Sequence, residues 1–141
     1  MVFFNLHKKL KADTYYISDL VLCRFLIMNN ANYPWIILVP RKNNLTEIYQ
    51  LSAIDRKQLD YEVNEISKKI SDYFNADKMN IASIGNIVSQ LHIHVVVRKK
   101  NDASWPNPVW GILNNDLYPE NKLIQIKNDF LNMFSYLKSS Y

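Results

Sequence analysis

Along Gln90-Leu91-His92-Ile93-His94-Val95-Val96-Val97-Arg98, polar and apolar side chains alternate before giving way to a β-branched run. A strand's period of two puts Gln90, His92 and His94 on one face and Leu91, Ile93, Val95 and Val97 on the other. The β-branched residues favour a strand over a helix, and the apolar face has the character of a core. Two imidazoles therefore stand side by side on a rigid floor. Imidazole's ordinary pKa lies close to neutral pH, so the pair can supply a nucleophile, a proton donor or two metal ligands. Two satisfied polar residues beside a core would show the same spacing. The chain has only three histidines, and two of them are here.

The approach to this strand narrows the choice. Met79-Asn80-Ile81-Ala82-Ser83-Ile84-Gly85-Asn86-Ile87-Val88-Ser89 leads into it, and only two glycines occur in the chain, Gly85 and Gly111. Gly85 sits a short loop before the histidines, where the absence of Cβ lets a ligand approach the backbone closely. Upstream, Phe25-Leu26-Ile27-Met28-Asn29 and Trp35-Ile36-Ile37-Leu38-Val39-Pro40-Arg41 are two further strand-like runs, and Trp105-Pro106-Asn107-Pro108-Val109-Trp110-Gly111 follows the histidines. In this order the segments resemble the histidine triad (HIT) family of nucleotide hydrolases and nucleotidyl transferases, whose motif is His-x-His-x-His followed by apolar residues. Here the motif reads Gln90-x-His92-x-His94, and the Trp105 to Gly111 segment is similar to one that follows the motif in a bacterial branch of the family. The resemblance covers most of residues 15–111.

At 141 residues, with no Pro/Gly/Ser-rich linker, the chain reads as one domain over 1–141. Its 48% hydrophobic and 13% aromatic content excludes disorder, and its apolar runs are too short to span a bilayer. The first nine residues lack the order of a secretory signal. A lone cysteine, Cys23, forbids an internal disulfide and predicts a buried thiol in a reducing cytoplasm. The +4 charge is carried by lysines scattered along the chain, which does not favour a nucleic-acid polymer as partner.

The pattern predicts an α+β fold, an antiparallel sheet with two main helices on one side. Residues 14–17 and 21–28 read as a hairpin turning at Ser18-Asp19, and 35–39 as the next strand. Ser52 with Asp55 resembles a capping box, and Leu59, Val63, Ile66 and Ile70 recur at helical spacing in a helix ending near Phe74. A last helix from about Pro119 has Leu123, Ile126, Phe130, Phe134 and Leu137 on its buried face.

The resemblance implies a HIT-like fold in which two protomers commonly pair, and chemistry at the α-phosphate of a nucleoside phosphate or dinucleoside polyphosphate. His92 matches the middle histidine, which in the family forms a nucleotidyl-histidine intermediate. His94 matches the third, assigned to phosphate binding and leaving-group departure. Gln90 replaces the first, and an amide can orient but cannot carry a proton through a physiological titration. Asn29, with Asn30 as a substitute, falls where the family carries its ribose-hydroxyl partner. Ile27 and Ile37 correspond to apolar walls around a base, and Asn80, Gly85 and Asn86 to the sugar or phosphate surroundings. Ile87 stands where relatives often have Ser or Thr, so a phosphate contact there would use its backbone N–H. Gln90 and Ile87 also motivate an alternative, a noncatalytic nucleotide-binding or scaffold protein that retains the pocket. Two histidines without a matching Cys, Asp or Glu motif form an incomplete metal-ligand set, and neither metal nor cofactor is expected. Arg98 reads as a solvated surface residue, with reach to a distal phosphate of a dinucleoside polyphosphate as the alternative, and His7 carries no catalytic expectation. The tryptophan segment reads equally as a lid, a dimer contact or a rigid proline turn.

Overall fold

The structure is a computed structural model that describes residues 3–113 and 115–140. Helix α1 (Lys8–Asp13) leads into strands β1 (Thr14–Asp19), β2 (Cys23–Met28) and β3 (Trp35–Pro40). Helix α2 (Ala53–Phe74), strands β4 (Lys78–Ala82) and β5 (Ile93–Arg98) and helix α3 (Glu120–Met133) follow. The five strands form one sheet in the order β1-β2-β3-β5-β4, antiparallel at every step. The last strand in sequence thus enters between β3 and β4. That interior place explains the unbroken apolar run at 95–97, since every residue of β5 is buried.

The period-two reading separates the two faces of β5. Leu91, Ile93, Val95 and Val97 join Phe25, Ile27, Ile36 and Leu38 in a core beneath Leu59, Ile66 and Ile70 of α2 and Leu123, Ile126 and Phe130 of α3. Ser52 caps α2 by accepting the Asp55 N–H at 3.1 Å, and Asn75 ends it in the left-handed conformation at φ 52°. Phe134 and Leu137 are buried as expected but lie beyond α3, Leu137 in a short 3-10 turn.

Two features of the sheet depart from the sequence reading. The hairpin turns at 20–22, not at Ser18-Asp19, because Arg24 holds Asp19 through Nε at 2.8 Å and a bulge between Tyr16 and Ser18 lets β1 run on. Buried Glu62 of α2 then accepts the turn's N–H groups, from Leu22 at 2.7 Å and Cys23 at 3.0 Å. The second departure is on the other side of the sheet, which is also covered. Leu26, Trp35, Ile37, Val39 and Val96 pack there against Leu10 of α1, Val88 and Val109.

Arg98 is not the solvated residue its sequence context suggests. It is 1% exposed, with Nε 2.8 Å and Nη2 3.1 Å from the Asp102 carboxylate, Nη1 2.8 Å from Asn80 Oδ1 and Nη2 2.8 Å from the Asn107 carbonyl. Burial pushes the Asp102 carboxyl upward, but Arg98 and the Lys99 and Ser104 amides outweigh it and hold it down to about 2. This fork fixes the 99–107 loop, which carries the tryptophan segment back to the sheet. Arg98→Met leaves Asp102 without its cation, and chemical denaturation is expected to show a loss of about 3–5 kcal/mol. A loss below about 1 kcal/mol would mean that the loop is held by other contacts.

Candidate functional site

At the amino-terminal end of β5 the backbone presents two imidazoles, each 6% exposed, with ring centroids 4.8 Å apart. Their tautomers follow from their partners. His92 Nδ1 lies 2.7 Å from the Gln90 carbonyl, which can only accept, so the ring's proton sits on Nδ1 and Nε2 keeps its lone pair. His94 Nδ1 lies 3.0 Å from the Trp35 indole N–H, which can only donate, so here Nδ1 is the acceptor and Nε2 carries the proton. One ring thus presents a lone pair at Nε2 and its neighbour an N–H.

Burial also sets their charge. Desolvation lowers the His92 pKa below its ordinary value of 6.5; the Gln90 carbonyl opposes the shift and His7 adds to it. Desolvation, with the nearby His92, brings His94 down to about 4. Both rings are neutral at physiological pH.

These rings open on a cleft of about 320 Å³. One wall is the turn that includes Gly85, Asn86 and Ile87, another is Lys9, Leu10 and Asp13 of α1, and Met28, Trp35, Trp110 and Gly111 complete it. Gly85 has φ 71°, and a Cβ there would stand 3.3 Å from the Val88 carbonyl, so the turn needs glycine on both counts. Val88, buried beneath the turn, anchors it to the far-face core. Among the described residues, the N–H groups of 84–88 donate to no protein acceptor. Trp110 stands edge-on to both Trp35 and His94, with centroids at 6.1 and 5.4 Å. The tryptophan segment therefore folds onto the site of its own chain.

Five of the residues singled out from sequence line this cleft: Gly85, Asn86, Ile87, His92 and His94. The others have different surroundings. Gln90 turns its amide to the amino-terminal segment, accepting the His7 N–H at 2.8 Å and donating to the Asn5 carbonyl at 2.9 Å. It latches the chain that leads into α1. Ile27 faces the helices, opposite the site, because strand parity leaves Leu26 and Met28 on the cleft side. Ile37 has the correct face but is fully buried in the floor. Asn29 gives its Oδ1 to the Tyr118 N–H at 3.0 Å, Asn30 gives its own to the Asn32 N–H at 3.0 Å, and Asn80 is held by Arg98.

The sequence reading missed Lys9, Leu10, Asp13, Met28 and Trp35 as lining residues, and offered Trp110 only through the lid reading of its segment. Six residues are too few for α1 to show a helical period, and Trp35 meets His94 only through the β3–β5 register. His7 caps α1, its Nδ1 accepting the Lys9 N–H at 3.1 Å. No group of three or more His, Cys, Asp or Glu residues among those described could hold a metal ion, and no described helix is long and apolar enough to cross a membrane.

The HIT domain family model matches residues 9–101. A histidine triad protein from Marinobacter aquaeolei shares 38% identity, with 96% of this chain and 99% of that chain covered at a TM-score of 0.93. Histidine triad proteins from Bradyrhizobium japonicum and Sinorhizobium meliloti share 36% and 35% identity. They cover 98% and 92% of this chain, and 100% and 96% of their own, with TM-scores of 0.87 and 0.89. Comparison with curated proteins gives no match. The chain belongs to the histidine triad family, whose members are generally nucleotide-binding hydrolases and transferases.

The depressed His94 pKa has a consequence for folding. A histidine whose folded pKa lies below its unfolded value is protonated more readily in the unfolded chain, so stability is intact above 6.5 and falls as pH drops toward 4. Between pH 7 and pH 5 the loss is expected to be about 2 kcal/mol. Urea denaturation across this range should show a shallower decline for His94→Gln. Parallel declines for the two proteins would assign the pH dependence to other groups.

Proposed function

We propose that the cleft binds a nucleoside phosphate derivative and that His92 attacks its α-phosphorus. The complementary tautomers of His92 and His94 carry this reading. Nε2 of His92 forms a bond to phosphorus while the bond to the leaving group breaks. The leaving group departs with the bonding pair and takes its proton from water. The resulting nucleotidyl-imidazolium keeps its Nδ1–H on the Gln90 carbonyl, and water or another acceptor then displaces the histidine. The Nε2–H of neutral His94 and the backbone N–H groups of the Gly85 turn donate to the phosphoryl oxygens as charge builds. Gln90 acts as a positioning residue through its latch on the amino-terminal segment. A noncatalytic nucleotide binder is the second reading, motivated by the amide at the position of the first family histidine.

The test is a panel of adenosine and guanosine dinucleotides, phosphoramidates and adenylyl sulfate, assayed with wild type and His92→Ala. The substitution is expected to lower kcat by at least about a thousandfold while nucleotide affinity changes by only a few fold. The nucleophile must be unprotonated and its pKa is lowered, so the acidic limb of kcat/KM should fall below the ordinary imidazole value. Wild-type turnover by well-folded His92→Ala would remove the nucleophile assignment, whereas binding without turnover across the panel would favour the second reading.

We also propose that two copies pair through β4. This strand is a sheet edge, and Ile81, Ile84 and Ile87 on it and beyond it are 47%, 39% and 84% exposed. Sedimentation is expected at twice the 16.6 kDa chain mass and at that mass for an Ile81→Lys, Ile87→Lys variant. A wild type that sediments at 16.6 kDa would overturn the pairing.

A further inference from the structure

A second hollow, of about 400 Å³, shares none of its lining residues with the histidine cleft. Helix α1 divides the two, since Lys9, Leu10 and Asp13 line the cleft whereas Lys11 lines the hollow. Leu26 of β2, with Phe4 and Leu6 of the amino-terminal segment, gives the hollow an apolar lining. Its charge is positive. Asp19 takes Nε and Nη2 of the lining residue Arg24 at 2.8 and 3.1 Å, but among the described residues exposed Lys11 has no acid partner. Lys127 adds to the field, its Nζ 5.4 Å from the ring centroid of Tyr16, which also lines the hollow.

An apolar lining beside one unpaired ammonium fits a singly charged anion on an apolar body, because an ammonium only donates and a carboxylate only accepts. Phe4 and Tyr16 add aromatic surface, which favours a flat ring. The wall of the hollow is also tied to the cleft. Gln90 donates to the carbonyl of the lining residue Asn5 at 2.9 Å and accepts the His7 N–H at 2.8 Å, so one amide holds both this wall and the start of α1. A helix of six residues is not stable by itself, so α1 depends on this docking and on Leu10 packed against the sheet. A ligand held between Leu6, Lys11 and Leu26 binds only the docked form and favours it by mass action. We propose that the hollow is a second ligand site, for an aromatic carboxylate, whose occupant clamps the amino-terminal segment and with it the α1 wall of the histidine cleft.

The test is an NMR titration of the full chain with 2-naphthoate and with its uncharged counterpart 2-naphthylmethanol, in wild type, Lys11→Met, Lys11→Glu and Gln90→Ala. Wild type is expected to bind the acid about fivefold more tightly than the alcohol, with amide shifts centred on Leu6, Lys11 and Leu26. Lys11→Glu should reverse that preference, and Lys11→Met should fall between. Gln90→Ala should weaken naphthoate at least about threefold, and saturating naphthoate should slow hydrogen exchange of the Lys11 amide in wild type at least about tenfold. No binding to wild type, shifts centred on residues 84–94, or displacement of naphthoate by AMP would overturn the second site. Equal affinity for acid and alcohol, or a preference that survives Lys11→Glu, would overturn the carboxylate assignment. Unchanged exchange in wild type together with unchanged affinity in Gln90→Ala would overturn the clamp.

Discussion

The site depends on β5 being an interior strand. With β3 on one side and β4 on the other, its backbone hydrogen bonds are made within the sheet and both its faces are removed from water. An imidazole placed there loses solvent, and desolvation keeps it neutral. The hydrogen-bond partners then decide which nitrogen carries the proton. A carbonyl two residues back holds Nδ1–H of His92, and an indole one strand away occupies Nδ1 of His94. The same element that makes the rings rigid thereby gives them opposite roles.

A neutral pair serves only if something else shapes the space above it, and three separate devices do so. The Gln90 amide, with one donor and one acceptor, matches the backbone of Asn5 and His7 and docks the segment that becomes α1. Buried Arg98 satisfies its donors on Asp102, Asn80 and the Asn107 carbonyl, and the loop so fixed returns Trp110 to the edge of His94. Gly85 allows the third wall to turn back, its N–H groups donating to no backbone acceptor among the described residues. Each device sits outside the histidine pair, yet each sets one side of the cleft. Breaking the Arg98 fork would expose a buried carboxylate, whereas loosening the Gln90 amide would release only a surface segment. The two therefore differ in what they contribute to stability although both position the site.

Much of the architecture was legible along the chain because it follows from local periods. The alternation at 90–98 separated the helix face from the site face, the stripe from Leu59 to Ile70 marked α2, and Ser52 marked its start. The histidine pair with Gly85 upstream was legible for the same reason, since both features are set within ten residues. Where the reading failed, a contact made only on folding had intervened. Arg98 looked solvated because Asp102 and Asn107 become its cage only when the loop folds back, and the hairpin turn moved because Arg24 holds Asp19 and a bulge lets β1 run on, with Glu62 of α2 satisfying the turn's amides.

Strand identity, the two-faced character of β5 and the presence of two imidazoles on one face were determined by the sequence itself, because a pleated backbone alternates its side chains whatever surrounds it. The protonation of those imidazoles was not. It required Trp35 across the sheet and burial from both sides, neither of which exists until β5 inserts between β3 and β4. The choice of wall residues was also tertiary. Ile27 faces away by one step of strand parity, the Oδ1 of Asn29 accepts a backbone N–H 89 residues away, and Asp13 reaches the cleft wall on a helix of six residues that tertiary contacts, not its own period, hold in place.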